Sequence, residues 1–305
     1  MSVVAQGVYG RPPHDLAEVA ADAVQLSPLT PGAEALEALA PASLDRVVIA
    51  APPGAIESRY VLAQALRVLR PGGELIALAL KTKGGARLRK TLEGFGCGVD
   101  ETARRHQRIC LVVRPPACDG LDAAIAAGAL QLVPSQGLWS QPGVFSWDRV
   151  DPGSAALLAA TPAYSGRGAD LGCGIGVLAR AVLASSTVEA LIGVDIDARA
   201  IAAARCNVTD PRASFVQADL REAWAAAPDD LDFVIMNPPF HDAGAEDRTL
   251  GQTFIRRAAA LLHKGGTLRL VANIGMPYEA VLGEHFRSVT PLGQTHGYKL
   301  FEARK

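Results

Sequence analysis

The sequence of 305 residues has little cysteine, few aromatic residues and no excess of charge of either sign. Its five cysteines are odd in number and widely spaced, which argues against a disulfide framework and a cysteine-rich metal cluster. The net charge of -1 gives no overall attraction to nucleic acid, so an acidic partner has to bind a local patch. The sequence shows no apolar run long enough to cross a bilayer and no charged-then-apolar signal segment at its start. We therefore expect a cytoplasmic protein without a membrane or metal partner.

One phrase occurs twice, as DRVVIAAPPG at 45–54 and as DFVIMNPPF at 232–240. Each copy is followed by a stretch with helical periodicity, then by a Gly-Gly pair and an apolar run typical of a buried parallel strand. The order strand, Pro-Pro turn, helix, Gly-Gly turn, strand is thus repeated. We predict two related α/β domains in tandem, residues 1–130 and 131–305, joined near the proline- and glycine-containing segment 130–153.

Only the second copy is preceded by a glycine-rich loop. The segments 168–183, 190–207 and 213–220 alternate as strand, helix, strand, helix and strand, which is the order of a doubly wound sheet. Residues 10–44, ahead of the first copy, are rich in Ala and Pro and contain no such loop. The first domain is therefore predicted to keep the scaffold without the ligand loop.

Acidic residues and glycines in the second domain predict a nucleoside-cofactor site. A strand that ends in Asp170 leads into Gly172, Gly174 and Gly176, where the backbone can approach a ligand closely. Asp195 follows 19 residues after Gly176, at the end of the next strand, where a carboxylate can accept from both ribose hydroxyls. These features alone leave NAD as good a candidate as another nucleoside cofactor.

Three further features argue against a dinucleotide. The spacing is Gly-x-Gly-x-Gly, whereas Gly-x-Gly-x-x-Gly leads a pyrophosphate onto a helix N-terminus. Asp170 would repel phosphates but favours the cationic end of an amino acid. Asp219, at the end of the third strand, is placed to accept from an adenine amino group. Cys173, inside the loop, is interpreted as a packing residue.

The motifs ADLGCGIG, GVDID and QADL resemble the successive cofactor-binding motifs of class I S-adenosylmethionine-dependent methyltransferases, and NPPF resembles their amine-methylating signature. The segments QPGVFSWDRVDPGSAALL, NPPFHDAG, LRLVANIGMPYEAVL and QTHGYKLFEA resemble the bacterial ribosomal RNA guanine-N2 methyltransferases, which carry a decayed methyltransferase domain ahead of a working one. The resemblance covers most of 140–305. In the first half it rests on the repeat and on KTKGGARLRKTLEGFG followed by ETARRHQRI.

The resemblance implies two Rossmann-like domains, the first degenerate and the second with a seven-stranded doubly wound sheet. It implies S-adenosylmethionine as cofactor, with neither NAD nor a metal required. The implied substrate is guanine N2 in ribosomal RNA, and the partner is that RNA or a ribosomal subunit. The residues it assigns to cofactor binding are Asp170, Gly172, Gly174, Gly176, Asp195, Asp219 and Asn237.

The turn that ends the second copy of the repeated phrase can bind the amine of a nucleobase. The Asn237 side-chain oxygen and the Pro238 carbonyl can each accept one N–H, which holds the nitrogen towards the methyl group and favours the positive charge that develops there. Phe240 offers a flat face on which a flipped base can stack. His241 and Asp242 are candidates for proton removal, although polar residues at the rim of the site are an equal interpretation.

The first copy lacks these groups, because Ala51 stands in place of the Asn and Gly54 in place of the Phe. We therefore predict that the first domain does not catalyse. It holds the densest group of basic residues in the chain, which predicts RNA phosphate binding or, with equal weight, a solvated face. These basic residues are Lys81, Lys83, Arg87, Arg89, Lys90, Arg104, Arg105 and Arg108.

Two alternatives stay open at this point. NPP-aromatic turns also serve methylation of adenine N6 or of a protein glutamine amide. From a different class, a non-catalytic RNA-binding or assembly protein would retain the fold without turnover. The intact Asp195, Asp219 and Asn237 favour catalysis over this last possibility.

Overall fold

The computed structural model describes residues 5–224, 227–239, 241–242, 245–246 and 248–305. For residues 241, 242, 245, 246 and 248 it describes the backbone alone. The chain divides into two compact units, Met1–Leu130 with Gln141–Gly143 and Gln131–Ser140 with Val144–Lys305. In the described ranges, no helix is long and apolar enough to span a membrane.

The elements of the first unit are β1 (Gln6–Tyr9), β2 (Val24–Gln25), β3 (Leu44–Ala50), α1 (Ala55–Val68), β4 (Leu69–Leu80), α2 (Ala86–Glu93), β5 (Asp100–Arg104), β6 (Gln107–Val113) and α3 (Leu121–Gly128). They form a six-stranded sheet with the order β2-β1-β3-β4-β6-β5. The first four strands in this order are parallel, β6 is antiparallel to β4, and β5 is antiparallel to β6. Residues 10–23, between β1 and β2, contain turns.

The elements of the second unit are β7 (Gln131–Val133), β8 (Leu138–Ser140), α4 (Pro152–Ala159), β9 (Gly166–Leu171), α5 (Val177–Val182), β10 (Val188–Asp195), α6 (Ala198–Asn207), β11 (Ala213–Gln217), β12 (Leu231–Met236), β13 (His241–Asp242), β14 (Ala245–Glu246), α7 (Arg248–Leu261), β15 (Leu262–Asn273), α8 (Glu279–His285), β16 (Ser288–Thr295) and β17 (Tyr298–Arg304). The main sheet has seven strands in the order β11-β10-β9-β12-β15-β17-β16. The first five are parallel, and β17 is antiparallel to both of its neighbours. The predicted seven-stranded doubly wound sheet is confirmed, and its strand order reverses between β9 and β12, where such sheets bind ligands.

The two copies of the repeated phrase occupy the same place in their sheets. Strand β3 lies between β1 and β4, as β12 lies between β9 and β15, and each is parallel to both neighbours. An antiparallel strand and a final edge strand follow in both sheets. Within the described residues, the first unit has no counterpart of β11 or of α5. The degenerate character predicted for the first domain is thereby confirmed.

Both copies need their Gly-Gly pair for reasons of backbone geometry. Gly72 and Gly265 have φ of 82° and 93°, in the left-handed region that favours glycine. A Cβ on Gly73 would lie 2.8 Å from the Asp45 carbonyl oxygen of β3, and one on Gly266 would lie 2.9 Å from the Leu231 carbonyl oxygen of β12. The pair is therefore required by the fold.

Strand β12 is buried on both faces. Val234 and Met236 pack in one apolar cluster, while Phe233 and Ile235 pack in another on the opposite face. A continuous apolar run is what a parallel strand covered by helices on both sides requires. The turn that follows this strand, which begins with Asn237, thus starts from a fixed position.

Candidate active site

The carboxyl ends of three adjacent strands bring together predicted site residues. Asp170 lies near the end of β9 and pairs across the sheet with Gly193 of β10 and Ile235 of β12. Asp195 is the last residue of β10, and Asn237 follows β12 directly. Since neighbouring strands are about 4.8 Å apart, these three side chains lie along one short stretch of the sheet edge.

The glycine loop after β9 has left-handed backbone angles and open space on one side. Gly172, Gly174 and Gly176 have φ of 74°, 51° and 86°. A Cβ on Gly172 would lie 3.8 Å from Pro239 Cδ and 3.9 Å from the Asn237 carbonyl oxygen, so the loop borders the turn after β12. A Cβ on Gly174 would have no atom within 4 Å in the described chain, so this side of the loop is open.

Asp195 shapes the loop that it adjoins. Its Oδ2 accepts from the Gly174 amide at 2.9 Å, and its Oδ1 accepts from the Asp197 amide at 2.9 Å. Burial raises the pKa of the Asp195 carboxyl to about 6. Each carboxylate oxygen has lone-pair capacity for a second donor. The geometry is compatible with the predicted ribose contact, which stays a prediction.

Asp170 has a fully buried carboxyl group whose two oxygens differ in their hydrogen bonds. Its Oδ2 accepts from the Ala179 amide at 3.1 Å, while Oδ1 is buried and has no hydrogen-bond partner among the described residues. Burial, with a smaller contribution from the charge of Asp195, raises the pKa of the Asp170 carboxyl to about 8. The neighbouring Cys173 is buried, and burial raises the pKa of its thiol. Cys173 therefore stays a thiol, as a packing residue would.

Asp219 lies two residues beyond the end of β11, and its carboxylate is shared with an arginine. Arg221 Nη2 donates to Asp219 Oδ2 at 2.8 Å, and Arg221 Nε donates to Oδ1 at 2.9 Å. The sequence predicts Asp219 at the strand end, with its oxygens directed to an adenine amine. The fork of Arg221 holds these oxygens in place, and the adenine contact stays a prediction.

The Asn237 amide nitrogen is held from the start of helix α4. Its Nδ2 donates to Asp151 Oδ2 at 2.7 Å and to Ser154 Oγ at 3.0 Å. Asp151 is the N-cap of α4, and its Oδ2 also accepts from the Ser154 amide at 2.8 Å. Sequence reasoning missed both residues. Asp followed by Pro at a helix start indicates a cap, but nothing in the sequence indicates the contact with a turn 86 positions away.

Pro238 is buried directly after Asn237, between two residues that border the glycine loop. Phe240 lies outside the described residues, as do the side chains of His241 and Asp242. The hypotheses for these three residues stay predictions. Within the described part of the chain, no group of three or more His, Cys, Asp or Glu residues could hold a metal ion.

The corresponding turn of the first unit is occupied by its own chain. Arg87 Nη2 donates to the Pro53 carbonyl at 2.8 Å. A Cβ on Gly84 would lie 3.4 Å from the Pro52 carbonyl oxygen. Ala51 stands in this turn in place of the Asn, and the absence of catalysis by the first unit stays a prediction.

The basic residues of the first unit come from two adjacent segments. The Lys81 amide donates to the His106 carbonyl at 2.9 Å, so the turn after β4 touches the turn of the β5–β6 hairpin. Three of the arginines are paired with acids: Arg89 with Glu93 at 2.8 Å, Arg105 with Asp15 at 2.6 Å and Arg108 with Glu101 at 3.0 Å. Arg87 and Arg104 donate to backbone carbonyls, which carry no formal charge. The segments therefore lie together with part of their charge neutralised.

Comparison with known proteins identifies a family and similar relatives. Residues 135–302 match the family described as methyltransferase small domain. The chain belongs to this family. Two ribosomal RNA small subunit methyltransferases C are similar over most of their length. The relative from Shewanella halifaxensis is 32% identical over 85% of this chain and 77% of its own, and the one from Pseudomonas aeruginosa is 31% identical over 94% and 87%.

A solved structure is similar to the chain over both units. The T. thermophilus 16S rRNA N2 G1207 methyltransferase (RsmC), in complex with AdoMet and guanosine, covers 100% of this chain and 89% of its own at 25% identity, with a TM-score of 0.79. The full coverage includes the first unit, for which the sequence resemblance is faint.

Proposed function

We propose that this protein transfers a methyl group from S-adenosylmethionine to the exocyclic N2 amine of a guanine in small-subunit ribosomal RNA. The observation that carries the proposal is the placement of Asn237, an amine acceptor, against the glycine loop that follows Asp170. The relatives named as small-subunit ribosomal RNA methyltransferases support the substrate, and the neighbour solved with AdoMet and guanosine supports both ligands.

The residues present fit the cofactor. The buried Asp170 Oδ1 has no hydrogen-bond partner in the part of the chain that the structure describes, and it is the acceptor that a cationic amino-acid end would satisfy. The open side of Gly174 leaves room for a ligand against the backbone. Asp195 would hold the ribose and Asp219 the adenine end, with Gly172 and Gly176 shaping the loop between them.

The chemistry requires the site to hold a weak nucleophile. S-adenosylmethionine supplies a methyl carbon activated by a sulfonium. The guanine N2 lone pair attacks that carbon as the carbon–sulfur bond breaks, the sulfur keeps the bonding electron pair, and one proton leaves N2 for water. The Asn237 oxygen and the Pro238 carbonyl accept the two N–H groups, which orients the lone pair and favours the positive charge on nitrogen. Phe240 is proposed to stack on the flipped base.

We propose an RNA-holding role for the first unit. Its two adjacent basic segments present Lys81, Lys90 and the carbonyl-bound Arg87 and Arg104 to phosphates, while its own Pro-Pro turn carries Ala51 in place of the Asn. Phosphate contacts position an RNA without reading its sequence. The proposed substrate is found in the cytoplasm, as ribosomal RNA or an assembling subunit.

A comparison of nucleosides tests the proposed function. Mass mapping of small-subunit ribosomal RNA from a strain that lacks the protein is expected to show one N2-methylguanosine replaced by guanosine, and the purified protein is expected to restore it. Loss of an N6-methyladenosine, or of methylation on a protein glutamine, would identify one of the alternatives. Binding of S-adenosylmethionine with every methylation intact in the deletion strain would indicate a non-catalytic protein.

The Asn237→Ala variant tests the amine acceptor. We expect it to lower kcat by about a hundredfold or more, the scale for losing a preorganised polar group in a transition state. Affinity for S-adenosylhomocysteine, measured by calorimetry, is expected to change little. Near-normal turnover would remove Asn237 from the mechanism.

A further inference from the structure

We infer that Asp151 is a positioning residue that fixes the orientation of the Asn237 amide, an inference that rests on the proposed function. Asp151 Oδ2 and Ser154 Oγ lie 2.7 Å and 3.0 Å from the same Asn237 nitrogen. A primary amide has two N–H donors on that nitrogen, and the two contacts use both. Among the described residues no hydrogen bond uses the amide oxygen, which keeps its accepting capacity for the base amine.

The chemical nature of Asp151 decides which way the amide lies. A side-chain amide has nearly the same shape after a rotation of 180°, so shape alone does not distinguish its oxygen from its nitrogen. A carboxylate only accepts hydrogen bonds. A flipped Asn237 would place its oxygen against the Asp151 carboxylate, with no hydrogen between two acceptors, and would turn its N–H groups towards the N–H groups of the substrate.

Asp151 is itself held in place by the start of its helix. The Ser154 amide donates to Asp151 Oδ2, and Pro152 occupies the first turn of α4, where its fixed φ suits the helix. A Cβ on Gly153 would lie 2.8 Å from Tyr298 Cε1, so the Tyr298 ring packs closely on this turn. Burial and, to a smaller extent, the charge of Asp151 raise the pKa of Tyr298. One carboxylate oxygen thus caps α4 and orients the amide.

Two substitutions at one position separate these roles. Asp151→Asn keeps an oxygen that can accept from both the Ser154 amide and Asn237. Asp151→Ser keeps a capping hydroxyl, since Ser is among the best N-cap residues, but its shorter side chain loses Asn237. We expect Asp151→Ser to lower kcat about tenfold or more while KM and S-adenosylhomocysteine affinity change less than about twofold, and Asp151→Asn to keep most of the wild-type kcat.

A double-mutant cycle tests whether Asp151 acts through Asn237. If it does, Asp151→Ser is expected to change kcat by less than about twofold in the Asn237→Ala background, because the amide that it positions is gone. An equal loss in both backgrounds would overturn the inference in favour of a purely structural cap. Ser154→Ala tests the second hydrogen bond to the Asn237 nitrogen in the same way, because the donor to Asp151 is the Ser154 backbone N–H and survives the substitution.

A readout without catalysis separates this inference from the proposed function. In nitrogen-15-labelled protein, the Asn237 side-chain NH2 resonances, identified by their absence in Asn237→Ala, are expected to exchange slowly in the wild type and faster in Asp151→Ser. Unchanged exchange in Asp151→Ser would sink the inference even if the protein methylates guanine. Absence of N2-methylguanosine formation by the wild type would refute the proposed function, and the resonances would still report whether Asp151 holds the amide.

Discussion

Cofactor affinity is expected to depend on pH through a single buried carboxyl. Asp170 has a pKa of about 8 because it is buried, and no described residue donates a hydrogen bond to its Oδ1. A cationic amino-acid end binds well only when this group is ionised. Cofactor binding therefore releases a proton from the Asp170 carboxyl, and cofactor affinity rises as pH rises towards 8. Asp170→Asn keeps an oxygen for the Ala179 amide but removes both the charge and its titration.

The size of the effect follows from the ionised fraction. With a pKa of about 8, about half of the Asp170 carboxyls are ionised at pH 8 and about one hundredth at pH 6. Apparent affinity is therefore expected to fall about fiftyfold between these values. Asp195, with a pKa of about 6, adds at most about a twofold change near pH 6 if its ionised form is required. The raised pKa of Cys173 keeps that thiol neutral throughout.

Calorimetric titration with S-adenosylhomocysteine at pH 6, 7 and 8 measures this dependence, and buffers of different ionisation enthalpy count the proton released. Titration of the ligand's own amine is common to both proteins and cancels in the ratio of wild type to Asp170→Asn. An equal slope in Asp170→Asn, or a flat profile in the wild type, would refute the assignment.

The same carboxyl predicts an opposite trend in stability. Its pKa in the folded chain lies above the ordinary value of 3.8, so the folded state binds the proton more tightly than the unfolded state. This contribution is fully present below about pH 4 and is lost as pH rises to about 8. Without ligand, Asp170→Asn is expected to melt above the wild type at pH 8, and a lower melting temperature there would contradict this reasoning.

Two further predictions concern RNA and backbone geometry. Reversing Lys81 and Lys90 to Glu is expected to weaken RNA binding and to lower the slope of log affinity against log salt by about 0.7 to 0.9 for each phosphate that is no longer bound, with S-adenosylhomocysteine binding unchanged. The control is Arg89→Gln, which removes a cation already paired with an acid. Equal slopes in the wild type, the double Glu variant and Arg89→Gln would show that the basic residues form a solvated face. Gly266→Ala is expected to destabilise the fold by about 2 kcal/mol or more, because its Cβ would lie 2.9 Å from a carbonyl oxygen. By contrast, Gly283→Ala, within α8 and with no described atom within 4 Å of its Cβ, is expected to stabilise it by about 0.5 to 1 kcal/mol in denaturant unfolding; the reverse order would refute the geometry.

The fold could be predicted because its determinants are local. A strand buried on both faces gives a continuous apolar run, and a Gly-Gly pair marks a backbone that no side chain tolerates. These signals occur in order along the chain, and the doubly wound topology follows from their alternation with helices. The same holds for the glycine loop and for Asp195, because each lies directly after a predicted strand.

The rest of the site depends on contacts between distant segments. Asp151 could be identified as a helix cap, but its bond to Asn237 requires the position of α4 relative to β12. For the basic residues of the first unit, the sequence shows the charges but not all of their partners. Their charge density is visible in the sequence, and so is the Arg89–Glu93 pair, four residues apart in α2. The neutralisation of Arg105 and Arg108 by acids instead depends on how the β5–β6 hairpin and its surroundings fold.

The duplication separates residues kept for folding from residues kept for chemistry. Both copies keep the Pro-Pro turn and the Gly-Gly pair, and in both the pair meets the same two backbone constraints, so these residues cannot by themselves indicate a reaction. Only the second unit has Asn237, together with a buried carboxyl at Asp170 that lacks, among the described residues, a partner for one oxygen. Burying an unsatisfied acceptor lowers stability, and the first unit folds the same central strands without it. A residue that the scaffold does not need and that costs stability is retained for a ligand, which is why Asp170 and Asn237 carry more of the functional argument than the glycines do.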